Sequence, residues 1–128
     1  MTNYLLDSNV LILALRSRVQ ALDFLDELTQ KQMTPFISVV TRTELLAGMR
    51  LHEEQRTMDL LFSFTSLPVD ETIADQAGRL IYSYARQGTQ LSFPDSLIAA
   101  TALTHDLTLV TTNIKHFPMP ELTVHPFQ

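Results

Sequence analysis

Residues 4–9 read Tyr4-Leu5-Leu6-Asp7-Ser8-Asn9. Three apolar side chains in a row stop at a carboxylate followed by two more polar residues. A short apolar run bounded by turn-forming residues reads as a buried strand. A late stretch repeats the form: Leu107 to Val110 is a second such run, ended by Thr111-Thr112-Asn113. Between them, apolar runs alternate with helical patterns, and that alternation is the mark of an α/β domain built on a parallel sheet.

The intervening elements follow from spacing and punctuation. Val19, Leu22, Leu25 and Leu28, with Phe24, recur at helical spacing up to about Gln32. Pro35 to Val39 reads as a strand begun at a tolerated proline. Thr41 is expected to open a helix through Leu45 and Leu46 that ends near Gly48, and another helix is expected from His52 to Phe62. Thr65 to Val69 is a weaker strand. Asp70 caps a long helix through Ile73, Ala77, Leu80 and Tyr84 that stops at Gly88. Ser92 and Pro94 begin a helix through Ile98 and Ala102, and Leu122 to Val124 is a final strand. The expected architecture is one α/β domain over residues 1–128, a central parallel sheet flanked by helices.

Composition bounds the function. The chain has 128 residues, 45% of them hydrophobic, enough for one domain with a real core. With no cysteine, neither disulfides nor a thiolate zinc site are available, which fits a cytoplasmic setting. Residues 1–30 lack a signal-peptide pattern, since Asp7 interrupts the first apolar stretch, and no run is long enough to span a membrane. A net charge of −5 argues against broad, sequence-independent binding of nucleic acid through a basic face. It leaves room for an acidic site that holds a divalent cation, which inverts the local field.

Ligand sites in parallel sheets lie beyond the carboxyl ends of the strands. Asp7, Thr111 and Asn113 stand there, Asp95 stands at a helix start, and Glu44 is expected in the first turn of the helix after the second strand. Each has a structural explanation. Thr41-x-x-Glu44 matches a capping box, Ser92-x-x-Asp95 is nearly the same pattern, and Asp7 or Asn113 could cap a helix or make an Asx-turn. Taken together they read differently. Three carboxylates and a carboxamide, far apart in sequence, converge on one end of a parallel sheet. Clustered carboxylates repel, and either titrate upward or bind a cation. Oxygen donors without Cys or His select Mg²⁺ or Mn²⁺ over Zn²⁺. Such an ion acidifies water and clamps phosphate, the chemistry of phosphodiester hydrolysis. No Gly-rich phosphate loop competes, the chain having three glycines.

Four stretches carry a family resemblance. Tyr4-Leu5-Leu6-Asp7-Ser8-Asn9-Val10, Thr43-Glu44-Leu45-Leu46-Ala47-Gly48, Pro94-Asp95-Ser96-Leu97-Ile98-Ala99-Ala100-Thr101-Ala102 and Leu109-Val110-Thr111-Thr112-Asn113-Ile114-Lys115-His116-Phe117 resemble, in order, the motifs of PIN domains. At this length the chain is similar to VapC-type toxins. The resemblance implies a parallel-sheet fold and Mg²⁺-dependent (or Mn²⁺-dependent) endoribonuclease activity. It implies that Asp7 and Asp95 hold the ion, that Glu44 holds the ion or its water, and that Asn113 and Thr111 position the attacking water. It further implies an RNA substrate, a cognate antitoxin that blocks the site, and a homodimer. Asn113 matches a position that is aspartate in some relatives; with Asn there one charge fewer faces a second ion. Ser8 stands where threonine is commoner and keeps the hydroxyl.

Two other functions share this pattern: an RNA-processing nuclease with no antitoxin, and a binding module whose acids are only caps. His52, His105, His116 and His125 lack metal-pair spacing and read as surface residues, with His116 nearest the expected site. Arg42, Arg50, Arg86 and Lys115 are candidate phosphate contacts, and Phe62, Phe64, Phe93 and Phe117 are expected in the core.

Overall fold

In the first strand, Leu5 and Leu6 are both fully buried, yet they face different cores. Successive side chains in a strand point to opposite faces, so a run buried at every position must lie in a sheet covered on both sides. The computed structural model, which describes residues 3–127, shows this arrangement. Its elements are β1 (Tyr4–Leu6), α1 (Ser8–Leu15), α2 (Val19–Gln30), β2 (Phe36–Ser38), α3 (Val39–Gly48), α4 (Glu54–Phe62), β3 (Thr65–Leu67), α5 (Glu71–Arg86), α6 (Phe93–Thr104), β4 (Thr108–Thr111) and β5 (Val124–Pro126). A short 3-10 turn covers Ile114–His116.

The sheet has five strands in the order β3-β2-β1-β4-β5, and every pairing is parallel. On one face Leu5 and Leu109 pack with Ile98, Ala99 and Ala102 of α6, against Leu80, Ile81 and Tyr84 of α5. On the other, Leu6 and Val110 pack with Val10 and Leu11 of α1, Leu45 of α3 and Leu61 of α4. The chain winds outward from β1 to β3, then crosses back to place β4 on the other side of β1. The order therefore reverses between β1 and β4. Strands diverge into helices on opposite faces at such a point, which leaves a crevice beyond their carboxyl ends.

Several expectations shift. The helix after β2 begins at Val39, not Thr41, because Ser38 at the end of the strand is its cap, accepting from the Val40 amide at 3.0 Å. Thr41 is consequently inside the helix with its hydroxyl buried and unpartnered, so no capping box forms with Glu44, which lies in the second turn. α4 starts at Glu54, leaving His52 in the preceding turn. The last strand lies two residues later than expected, since Leu122 is buried in the core beside Met119 and Phe117. Phe117 is buried and Phe64 packs against the core, but Phe62 and Phe93 are exposed. Helix α1 was anticipated only as a segment that Asp7 might cap.

Candidate active site

The crevice between β1 and β4 opens on Asp7. The residue leaves β1 in an extended conformation and caps α1, its Oδ1 accepting from the Ser8 amide at 2.8 Å. Its own amide donates to the Val110 carbonyl at 2.9 Å, which ties the end of β1 to β4. From β4, the Thr111 hydroxyl donates to Asp7 Oδ2 at 2.7 Å. Both residues are buried, Asp7 being 5% exposed. Both carboxylate oxygens are thus held, and the side chain has one orientation.

Glu44 approaches from α3. The Ser8 hydroxyl donates to Glu44 Oε1 at 2.5 Å, the short distance of a hydrogen bond to a charged acceptor. Ser8 therefore bridges two acids: its backbone serves Asp7 and its side chain Glu44. Asp95 comes from the first turn of α6. Ser92 caps that helix, accepting from the Asp95 amide at 3.2 Å, while the Asp95 carboxylate lies 3.4 Å from His116 Nδ1 instead of closing a box with Ser92. Asn113 is tied in through its backbone, its amide donating to Thr111 Oγ1 at 3.0 Å.

These placements have an electrostatic consequence. Burial pushes the Asp7 carboxyl above its ordinary value; the Thr111 and Ser8 hydrogen bonds oppose this, and the charge of Asp95 adds to it. Burial likewise raises Glu44 against the Ser8 bond, with Asp7 and Asp95 adding repulsion. The three acids therefore feel one another across the crevice. Among the described residues the ion pairs are Arg16–Glu53, Lys31–Glu27 and the His116–Asp95 contact, so no Lys or Arg neutralises Asp7 or Glu44.

A hard divalent cation fits this donor set, which is oxygen throughout and has an excess of negative charge. The fit is in chemistry more than in closure: among the described residues, no three acidic or histidine side chains are drawn tightly enough to enclose an ion. Ser8 and His116 complete the constellation; the sequence put both near the site without a role, and the structure pairs Ser8 with Glu44 and His116 with Asp95. Ser8 has the plainest signal, being the hydroxyl next to Asp7.

A family model described as PIN domain matches residues 4–118. The chain belongs to the PIN-domain family. Asp7, Glu44, Asp95, Thr111 and Asn113 all lie inside the matched span, and β5 lies beyond it. Curated relatives of this PIN chain include Ribonuclease VapC10 of Mycobacterium tuberculosis (strain CDC 1551 / Oshkosh), 44% identical over 123 residues that cover 96% of this chain and 92% of the relative. Ribonuclease VapC19 of the same strain is 38% identical over 120 residues, covering 92% and 95%. Among solved structures, VapBC2 from Rickettsia felis bound to a promoter DNA fragment superposes with a TM-score of 0.86 at 26% identity, covering 99% of this chain and 100% of that one. A toxin-antitoxin complex from Klebsiella pneumoniae gives 0.75 at 30% identity, covering 94% and 96%. Among the described residues no helix is long and apolar enough to cross a membrane.

Proposed function

We propose that this protein is an endoribonuclease that hydrolyses RNA phosphodiester bonds with a divalent cation, Mg²⁺ or Mn²⁺, and that it is the toxin of a toxin–antitoxin pair. The observation that carries the reading is Asp7. A buried carboxylate at the switch point of a parallel sheet, held at both oxygens and facing two further acids with no Lys or Arg partner among the described residues, is costly unless a cation binds there. Relatives named as VapC ribonucleases support the reaction, and structural likeness to toxin–antitoxin complexes supports the partner.

In this mechanism Asp7 and Asp95 would hold the ion, and Glu44 would hold the ion or its water. When bound, the ion would supply an acidified water and positive charge for the phosphate. The protein's own contribution is orientation. Thr111 fixes the Asp7 carboxylate, and Ser8 fixes Glu44 relative to Asp7. Asn113 is tied to Thr111 through its backbone amide, and in this reading its carboxamide, with Thr111, would orient the attacking water. Lys115 and His116 follow in sequence as candidate phosphate contacts, His116 beside Asp95. With a net charge of −5, one chain has little basic surface, and a homodimer would combine the cations of two.

The test is incubation of the purified protein with single-stranded RNA. Cleavage is expected in Mg²⁺, absent in chelator and restored by Mn²⁺. Cleavage that persists in chelator, or none in either metal, contradicts the proposal.

A further inference from the structure

Phe93 is 73% exposed, although its ring is the kind of surface a fold normally buries. It occupies the first position of α6, between the cap Ser92 and the acid Asp95. Beside it lies a cleft of about 520 Å³ between the end of α5 and the start of α6, lined by Ile81, Ala85, Thr89, Gln90, Ser92 and Phe93 among others. Gly88, in the left-handed region at φ +83°, makes the turn that shapes this cleft.

We propose that Phe93 is a base-stacking platform, on which the RNA nucleotide adjoining the scissile phosphate lays its base over the α5–α6 cleft. The inference rests on the ribonuclease reading of the acidic site, and three observations support it. The first is position. Phe93 and Asp95 stand two apart in the first turn of α6, with Cα atoms about 5–6 Å apart, and their side chains project to different sides of the helix, so the ring flanks the carboxylate at the same helix start. The second is rigidity. Ser92 accepts from the Asp95 amide at 3.2 Å, and the Ser96 hydroxyl donates to the Ser92 carbonyl at 2.7 Å, so one cap sets the backbone of both Phe93 and Asp95. The third is chemistry. None of the lining residues is charged, while Thr89, Gln90 and Ser92 present hydroxyl and amide groups. A wall with an aromatic face and neutral hydrogen-bonding groups suits a nucleobase, which has a π-face and a polar edge, and gives no grip on a phosphate.

Stacking is tolerant of base identity, so the probe is a random-sequence single-stranded 12-nucleotide RNA pool, labelled with fluorescein and titrated in chelator to separate binding from cleavage. Phe93→Ala is expected to weaken binding about 5- to 150-fold, the range of one lost base–aromatic stack, while Phe93→Tyr retains it. In Mg²⁺ the alanine variant should raise KM and leave kcat within a few-fold. A fully abasic strand of the same length should bind wild type more weakly than the pool does, and should bind wild type and Phe93→Ala alike. Equal binding by wild type and Phe93→Ala overturns the inference, and if wild type still cleaves RNA the ribonuclease reading survives it. A wild type that neither binds nor cleaves overturns both. Conversion of a dimer to a monomer by Phe93→Ala in light scattering, with binding to RNA unchanged, would make this face a self-association surface and also overturns it.

Discussion

Replacing Thr111 by valine removes one hydroxyl and almost no volume, which isolates the bond that orients Asp7. Thr111 is fully buried and donates to Asp7 Oδ2 at 2.7 Å. A hydrogen bond to a charged group contributes about 1.5–3 kcal/mol. The Asn113 amide also loses its acceptor, but Asn113 is half-buried and water can replace that bond, so its share is small. The expected loss at pH 8 in chelator is therefore about 2–3 kcal/mol, equivalent to roughly 6–15 °C in Tm for a chain of this size. The pH dependence has a definite sign. Burial raises the Asp7 carboxyl in the folded protein and the Thr111 bond opposes this, so the variant's carboxyl rises further. A folded-state value above the unfolded one means that the native state binds more protons, so stability falls as pH rises through that range. The penalty for Thr111→Val should thus be largest where Asp7 is ionised and shrink in acid, where the lost bond is an ordinary neutral one. Urea denaturation at a series of pH values, with an unchanged slope against denaturant, reads this directly. A loss under 0.5 kcal/mol at pH 8, or one that does not vary with pH, would refute the account of Asp7 as a buried, hydroxyl-oriented carboxylate.

Asp7→Asn keeps an acceptor for the Ser8 amide but sets an amide nitrogen where Oδ2 accepts from Thr111; it should keep the fold by circular dichroism and abolish RNA cleavage in Mg²⁺, and undiminished cleavage by the folded variant would contradict the metal role. Asp7 and Glu44 both lie above their ordinary values, so wild-type stability in chelator should decline as pH rises from the ordinary carboxylate range through their raised values. Saturating Mg²⁺ should flatten that decline, because protons compete with the ion, and parallel curves with and without metal would contradict it.

What could be read from the sequence was what local chemistry determines. β1 and β4 were visible because a strand buried on both faces is apolar at every position and ends abruptly at polar residues. The positions of Asp7 and Thr111 followed from those ends, and that of Asp95 from the Ser92-Phe93-Pro94 start of α6. Helix α1 was not visible for the same reason that β1 was: Val10-Leu11-Ile12-Leu13-Ala14-Leu15 has no polar face, since α1 is packed among α2, α3 and α4. Periodicity carries no signal for a helix covered all round.

Helix ends divided in the same way. The expected stop at Gly88 is there, with the Thr89 amide donating back to the Tyr84 carbonyl. Three other helices close with the same left-handed turn at Ser17, Gln32 and Asp106, their following amides reaching Leu13, Leu28 and Ala102. Non-glycine residues seldom adopt that conformation, so nothing in their identity marks those ends. Glu44 was expected among the acids, but neither its place in the second turn of α3 nor what holds it was legible. Its partner is Ser8, 36 residues away, and no local capping pattern expresses a contact made only by tertiary packing. Phe93 was expected in the core as an aromatic side chain, but at the first position of α6 it is exposed.

The measurement that bears most directly on the acidic site is the melting temperature of wild type and Asp95→Asn at pH 8, in chelator and in Mg²⁺. If Asp95 faces Asp7 and Glu44, removing its charge relieves repulsion, so in chelator the variant should melt at or above wild type. Mg²⁺ at about 100 times its dissociation constant should stabilise wild type by about 2.7 kcal/mol, roughly 8–13 °C here, and stabilise the variant far less. If Asp95 served only the first turn of α6, Asp95→Asn would lose up to about 1 kcal/mol of favourable helix-terminus charge in chelator. A destabilised variant with a Mg²⁺ shift equal to wild type would contradict the metal site.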